Sequence, residues 1–274
     1  MGKFDGILIC TDLDGTLLRN DKSISAENKQ AIESFKREGG YFTFVTGRMP
    51  SYVWDMYRAV QPNAPVGCVN GGGLYDYASE RYLWTHGLDR SVLELVAYVE
   101  RQMPGMGIQV NTFDTVYFCK ESTALADFRA ETGVPNTVCA YKEVPDPIAK
   151  ILFADRDGGE IARLAALLQA HPRADEYDFI RSDRTLYEIL PRGIHKGVAL
   201  SKLAEILCID PRRTVAVGDY NNDIGMLRTA GLGVAVANAT DEVKAAADLV
   251  TVSNEEHAIA ALIDRLARDE ALLA

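Results

Sequence analysis

An acidic pair that directly follows an apolar strand constrains this fold more than any other stretch. Residues 7–10 are too few for a helix and rich in β-forming side chains, so they predict a buried strand. Its carboxyl end is followed by Asp12 and Asp14, just before Gly15. Residues two apart on a strand share a face and lie about 6.6 Å apart, so one small ligand could contact both carboxylates. A purely structural interpretation is that Asp14 caps the turn at Gly15.

A cation would stabilise such a pair. Two unit charges about 4 Å apart repel by roughly 4 kcal/mol at an effective dielectric constant of about 20. Each carboxylate therefore raises the pKa of the other. Magnesium prefers carboxylate, carbonyl and water oxygens. The pattern at Asp12 and Asp14 thus favours a bound Mg²⁺ at the end of this strand.

The next segments predict an α/β fold. Ser25 is placed as the N-cap of a helix that ends near Gly39 and Gly40, and residues 41–45 form a second apolar strand. A strand–helix–strand order implies a right-handed crossover and a parallel sheet. Residues 214–217 and similar short apolar runs supply further strands.

A candidate phosphate-binding turn follows the second strand. Thr46, Gly47 and Arg48 combine a hydroxyl group, a glycine and the start of a helix, a combination that suits a phosphate group. The alternative is an ordinary strand-to-helix turn. Three glycines after Asn70 allow either a close approach to a ligand or a flexible loop.

Charged residues near the carboxyl end of the chain suggest that the acidic site extends further. Lys196 lies near a helix start, where the helix dipole disfavours a cation, so we expect an anion or an acidic site beside it. A surface lysine is the alternative. Asp219 follows the strand at residues 214–217, with Asn222 and Asp223 close behind. If this strand and the first one are neighbours, four carboxylates converge and need a cation for stability.

The middle of the chain has a different character. Residues 83–190 alternate amphipathic helices with strand-like runs and contain no motif with recognisable chemistry. We expect an inserted α+β domain there, connected to its surroundings through residues 70–82 and 191–193. Residues 1–82 and 191–274 then form one core domain in two parts.

Composition excludes several classes of partner. With 29 basic and 39 acidic residues the net charge is −10, and no dense basic run offsets it, so we expect neither nucleic acid nor a membrane as a partner. The 5 cysteines are odd in number and include no Cys-x-x-Cys pair, which favours free thiols in a reducing compartment. No run reaches the roughly 18 apolar residues of a membrane span, and no signal peptide is evident, so we expect a cytoplasmic protein.

Together these motifs resemble the haloacid dehalogenase superfamily of phosphohydrolases, and within it the Cof-type branch with a large α/β cap (class IIB). Four motifs occur in the family's order, each at a predicted strand end or helix start: Asp12-Leu13-Asp14-Gly15-Thr16, Thr46-Gly47-Arg48, Lys196, and Gly218-Asp219-x-x-Asn222-Asp223. Two departures lie outside them. His195 stands where a small or polar residue is expected, and we assign it no catalytic role; His257-Ala258 replaces the usual Gly-Val.

The resemblance implies a Rossmann-like parallel-sheet core with an inserted α+β cap, and an active site at the carboxyl ends of the strands. It implies an Mg²⁺-dependent phosphatase that acts on small phosphorylated metabolites through an aspartyl-phosphate. Asp12 would be the nucleophile, and Asp14 the general acid and then the base. Two sets of residues would hold the ligands. Thr46, Gly47, Lys196 and Asn222 would bind phosphate, whereas Mg²⁺ would contact the Asp12 side chain, the Asp14 carbonyl and the Asp219 side chain, with Asp223 in support.

Three other functions are also considered at this point. A phosphomutase or phosphotransferase of the same superfamily would return the phosphoryl group to substrate rather than to water. A receiver-like phospho-accepting protein also combines acids, a threonine, a lysine and magnesium, although it would not need so large an insert. A non-catalytic metabolite sensor is disfavoured, because reactive residues stand at every motif position. Sugar phosphates, pyridoxal phosphate and flavin mononucleotide all fit the resemblance as substrates.

Overall fold

A computed structural model describes residues 2–133, 135, 137–269 and 272, with residues 131 and 132 described by their backbone alone. Contacts divide the chain into two units. The first is Met1–Thr85 with His195–Ala274, and the second is His86–Ile194. The strands are β1 (Leu8–Thr11), β2 (Tyr41–Phe44), β3 (Val66–Cys68), β4 (Gly73–Asp76), β5 (Arg81–Thr85), β6 (Gly107–Thr112), β7 (Val116–Lys120), β8 (Thr137–Val138), β9 (Ile148–Ala154), β10 (Tyr177–Asp183), β11 (Leu186–Pro191), β12 (Thr214–Gly218), β13 (Leu232–Ala235) and β14 (Leu249–Val250). The α-helices are α1 (Ala26–Arg37), α2 (Trp54–Val60), α3 (Leu93–Gln102), α4 (Thr123–Thr132), α5 (Gly158–Gln169), α6 (Lys196–Ile206), α7 (Ile224–Thr229), α8 (Asp241–Ala246) and α9 (Ala258–Arg268).

The first unit is built on a parallel five-stranded sheet, which confirms the expected α/β class. Its strand order is β14-β13-β12-β1-β2, so β1 lies at the interior between β12 and β2. All four residues of β1 are buried. Apolar character along the whole strand is typical of parallel sheets that are covered on both faces.

Helix α1 begins and packs as its sequence predicts. The Ser25 hydroxyl accepts a hydrogen bond from the Asn28 backbone N–H at 3.2 Å, which satisfies one of the unpaired donors at the helix start. Ile32 and Phe35 lie one turn apart and are fully buried. The Asn28 carboxamide oxygen also accepts from the Ala260 N–H at 3.0 Å, which ties α1 to α9.

The segment at residues 70–82, expected only as a connection, contains strands. It contributes β4 and the start of β5, which form an antiparallel sheet in the order β3-β4-β5. Tyr75 of β4 lies opposite Tyr82 of β5. Such cross-strand aromatic pairs stabilise a hairpin.

The second unit contains a six-stranded sheet in the order β10-β11-β9-β6-β7-β8, antiparallel except for the β7–β8 pair. Val110, Ile151 and Ile189 lie in the middle of its apolar core, together with buried residues of α3 and α5. This is the α+β character expected of the insert. In neither unit does a described helix have both the length and the apolar character needed to cross a bilayer.

Candidate active site

The site starts from the adjacency of two strands, the condition that the sequence left open. Strands β1 and β12 pair in parallel with Thr11 opposite Val217. The Asp12 N–H extends this ladder and donates to the Val217 carbonyl at 2.9 Å. Asp12 therefore follows β1 at the same sheet edge at which Asp219 follows β12.

Three of the four candidate carboxylates gather there. One oxygen from each of Asp12, Asp219 and Asp223 lies within 4.8 Å of the others. The Lys196 Nζ donates to Asp12 Oδ1 and to Asp223 Oδ1, each at 2.6 Å. Lys196 is the first residue of α6 and its side chain is 0% exposed. The two carboxylate partners thus explain why a cation is present at a helix start, where the helix dipole disfavours it.

The charges in this cluster do not balance. Three carboxylates against one ammonium leave two negative charges when all are ionised. Burial, followed by the charge of Asp223, raises the pKa of Asp219 to about 7, although the Thr16 hydrogen bond and the Lys196 charge oppose the rise. Burial likewise raises the pKa of Asp12, although Lys196 opposes it. The pKa of Lys196 is itself raised, because Asp12 and Asp223 outweigh its burial, so the ammonium stays charged.

Hydrogen bonds fix the carboxylates of the β12 loop. Asp223 Oδ2 accepts from the backbone N–H groups of Asp219 at 2.9 Å and Tyr220 at 3.1 Å, while its other oxygen faces Lys196. Asp219 Oδ1 accepts from the Thr16 hydroxyl at 2.8 Å. Asp223 therefore acts mainly as a support for the loop.

Gly15 allows this close approach. Its φ of +77° is a left-handed conformation, and a Cβ at this position would lie 2.4 Å from Asp219 Oδ2. A larger residue would thus be strained and would push the Asp219 carboxylate away. The glycine of the opening motif is required by the site as well as by the turn.

Asp14 is directed elsewhere, in contrast to the expected convergence of four carboxylates. Arg48 forms a bidentate pair with it, Nε to Oδ2 at 2.7 Å and Nη2 to Oδ1 at 2.7 Å. Lys22 Nζ adds a contact to Oδ1 at 2.9 Å. Burial alone raises the pKa of Asp14, but the hydrogen bonds and charge of Arg48, then Lys22, outweigh it and lower the pKa to about 2. The planar guanidinium group of Arg48 can donate two parallel hydrogen bonds to one carboxylate. This bidentate pair holds the Asp14 side chain away from the other three carboxylates.

The candidate phosphate-binding residues come from three segments of the first unit. Thr46 is buried, and its hydroxyl accepts from the Arg48 N–H at 3.2 Å, so the turn through Gly47 is tightly held. Asn222 donates from Nδ2 to Asn70 Oδ1 at 3.0 Å. Neither Asn70 nor Arg48 was assigned an individual role from the sequence, and only their positions within the motifs could have indicated one.

His195, which received no catalytic role, is the N-cap of α6. Its Nδ1 accepts from the Gly197 N–H at 3.1 Å, so the imidazole replaces the usual hydroxyl or carboxylate cap. This departure from the family pattern therefore has a local structural function next to Lys196.

The cluster has the chemistry of a divalent-cation site. All three donors are carboxylates, the ligand type of hard cations such as Mg²⁺. The cluster has excess negative charge, and the raised pKa values of Asp12 and Asp219 show that their ionised forms are disfavoured. A bound cation would offset this charge and stabilise the ionised carboxylates. The residues present therefore fit Mg²⁺.

Similarity to known proteins covers nearly the whole chain. Residues 9–263 match the family described as haloacid dehalogenase-like hydrolase. The 5-amino-6-(5-phospho-D-ribitylamino)uracil phosphatases YitU and YwtE of Bacillus subtilis are 27% and 30% identical, over 92% and 94% of this chain and 94% and 97% of their own. The crystal structure of TM0651 from Thermotoga maritima has a TM-score of 0.79 at 26% identity, covering 94% of this chain and 97% of that one.

Proposed function

The chain belongs to the haloacid dehalogenase-like hydrolase family, and on that premise we propose that it is an Mg²⁺-dependent phosphatase of small phosphorylated metabolites. The observation that carries this proposal is the largely buried cluster of Asp12, Asp219 and Asp223 beside Lys196, at the carboxyl ends of β1 and β12. Ligands bind at that edge in open α/β sheets. The phosphatases among its relatives support the reaction class.

Asp12 is the proposed nucleophile. Its carboxylate oxygen attacks phosphorus, an aspartyl-phosphate forms, and the bond from phosphorus to the leaving oxygen breaks. Lys196, 2.6 Å from Asp12 Oδ1, offsets the repulsion between this carboxylate and an anionic phosphate group. Water then attacks the phosphorus of the aspartyl-phosphate, which releases inorganic phosphate and restores Asp12.

Asp14 is the proposed acid and base. It donates a proton to the leaving alcohol in the first step and takes one from the attacking water in the second. The pair with Arg48 and Lys22 holds Asp14 ionised, with a pKa of about 2. A proton-donating Asp14 therefore requires that substrate binding loosen the Arg48 contact, since a carboxylate in that fork cannot carry the proton.

The transferring phosphoryl group needs donors for its oxygens. We assign these to the Thr46 hydroxyl, the Gly47 N–H, the Lys196 ammonium and the Asn222 carboxamide. Asp12 and Asp219, supported by Asp223 and joined by the Asp14 carbonyl, would hold Mg²⁺. When bound, the ion neutralises charge on the phosphate and on Asp12.

The inserted residues 83–190 are the proposed selectivity element. They contain no candidate catalytic residue, whereas every residue assigned above lies before or after them. A phosphatase whose chemistry is complete without its insert can change its choice of leaving group by varying that insert.

The test is release of inorganic phosphate by the purified chain with Mg²⁺. The panel contains sugar phosphates, p-nitrophenyl phosphate and 5-amino-6-(5-phospho-D-ribitylamino)uracil, the compound named for YitU and YwtE. Asp12→Asn, nearly identical in shape, is the matched inactive control. Phosphate release that requires Mg²⁺ and Asp12 supports the proposal. Transfer of the phosphoryl group to a second substrate without phosphate release would assign a phosphotransferase instead.

A further inference from the structure

A strained turn between β3 and β4 lies against the proposed phosphate-binding residues. Val69, Asn70 and Gly71 have φ values of +55°, +51° and +97°, and all three residues are buried. A β-branched residue such as Val69 rarely adopts positive φ. Strained backbone is retained where the surrounding structure holds it, and it is concentrated at functional sites.

The turn touches each segment that carries a proposed phosphate-binding side chain. The Asn70 N–H donates to the Thr46 carbonyl at 3.0 Å, and its Oδ1 accepts from Asn222 Nδ2 at 3.0 Å. Gly71 abuts the start of α6. A Cβ on Gly71 would lie 2.1 Å from the His195 carbonyl oxygen and 3.0 Å from the backbone nitrogen of Lys196.

We propose that Asn70 is a positioning residue, which orients the Asn222 carboxamide and holds it in register with Thr46 and Lys196. This inference rests on the proposed function, because it assumes that these three side chains bind phosphate. An amide nitrogen carries two N–H groups in one plane. The N–H that Asn222 gives to Asn70 Oδ1 therefore fixes the direction of its second N–H.

The left-handed φ explains why an asparagine suits this position. Asn tolerates that backbone region better than most residues, and its short side chain ends in a carbonyl acceptor. Asn70 is 0% exposed, so its oxygen satisfies the Asn222 amide without competition from bulk water. Glycine would adopt the same φ but would provide no side-chain acceptor for the Asn222 amide.

The test is a double-mutant cycle on p-nitrophenyl phosphate hydrolysis with Mg²⁺. In the wild type, Asn222→Ala should lower kcat/KM by about 10-fold or more, as expected for a lost hydrogen bond to a charged group. In the Asn70→Gly background, which preserves the left-handed turn, the same substitution should change kcat/KM by less than about 2-fold. Inhibition by inorganic phosphate should weaken in Asn70→Gly by the factor seen in Asn222→Ala.

Two controls distinguish positioning from general stability. The Asn63 side chain makes two hydrogen bonds to backbone groups, those of Gly40 and Phe42, at the opposite end of β2. Asn63→Gly should lower the melting temperature without weakening phosphate inhibition. Asn70→Asp keeps an acceptor of the same size, so Asn222→Ala should still cost about 10-fold on that background.

The outcomes separate this inference from the proposed function. A wild type without phosphatase activity contradicts the proposed function itself. An active wild type in which Asn70→Gly and Asn222→Ala lose activity additively contradicts only the positioning role. If Asn70→Gly does not fold, Asn70→Ala, which also lacks the acceptor, replaces it as the background: a change of less than about 2-fold on Asn222→Ala supports the role, and a loss of about 10-fold overturns it.

Discussion

Lys196 should be as important for stability as for turnover. Its ammonium is fully buried and pairs with Asp12 and Asp223 at 2.6 Å each. Replacing it with methionine preserves the apolar stem but leaves both carboxylates buried without their cation. Removing one partner of a buried ion pair typically costs about 3–5 kcal/mol. Since a domain's total stability is about 5–15 kcal/mol, Lys196→Met should be among the most damaging single changes.

The assay is urea unfolding followed by circular dichroism, with chelator present. Lys29→Met is the matched control, because Lys29 is exposed on α1 and its loss should change the free energy of unfolding by less than about 0.5 kcal/mol. In Lys196→Met, adding Asp223→Asn should recover part of the loss by removing one unpaired charge. A free energy of unfolding within about 1 kcal/mol of the wild type for Lys196→Met would refute the reasoning.

The pH dependence of the same unfolding free energy provides a second check. In the wild type the folded pKa of Asp219 is about 7, above its usual 3.8. A carboxyl with a raised pKa binds its proton more tightly in the folded state, so stability falls as pH rises between those two values. Without Lys196 this fall should steepen. If the difference in unfolding free energy between Lys196→Met and the wild type does not change with pH between those two values, Lys196 does not stabilise the ionised carboxylates.

Three further predictions concern the reaction and the Asp14 pair. Chelation should abolish phosphatase activity and Mg²⁺ should restore it; full activity in excess chelator contradicts the metal assignment. Asp14→Asn should still form the phosphoenzyme with an aryl phosphate but hydrolyse it about 10²–10⁴-fold more slowly, and hydrolysis of alkyl phosphates at the wild-type rate would contradict its role. Arg48→Ala should destabilise the fold above pH 3.8 by an amount that shrinks towards pH 2, because the pKa of Asp14 is depressed between those values; acid titration of both proteins would reveal a constant difference if the pair contributes nothing.

Motifs at strand ends made the centre of this site predictable. Parallel strands place their carboxyl ends at one edge, so Asp12 and Asp219 could be brought together from the sequence once β1 and β12 were assumed to be neighbours. The position of Lys196 near a helix start, where the helix dipole disfavours a cation, pointed to an anion or an acidic site beside it. The core fold followed from the strand–helix–strand order, whose handedness is nearly invariant.

Side-chain direction was not predictable in the same way. Period-2 spacing put Asp14 on the same face as Asp12, but Asp14 follows the end of β1, where strand geometry no longer applies. Arg48, 34 residues away, then determines its orientation through a bidentate pair. The role of Asn70 depends on a left-handed backbone and on a contact 152 residues distant, neither of which leaves a pattern in a single sequence.

The boundaries of the insert depended on a hairpin that was missed. The sequence predicted limits at residues 83 and 190, whereas the contacts divide the chain after Thr85 and before His195. Strand β5 belongs to the β3-β4-β5 sheet, and its pairing with β4 extends the first unit to Thr85. Short antiparallel strands are specified largely by cross-strand pairs, which become recognisable only when the turn between them is identified.

Covalent phosphorylation of Asp12 is the most direct test of the central claim. The wild type, mixed with p-nitrophenyl phosphate and Mg²⁺ and quenched rapidly in acid, should contain a population heavier by one phosphoryl group in intact-mass spectrometry. Peptide mapping should place that group on Asp12, and Asp12→Asn should show none. A phosphoryl group on another residue, or turnover by Asp12→Asn at the wild-type rate, would contradict the assignment of Asp12 as the nucleophile.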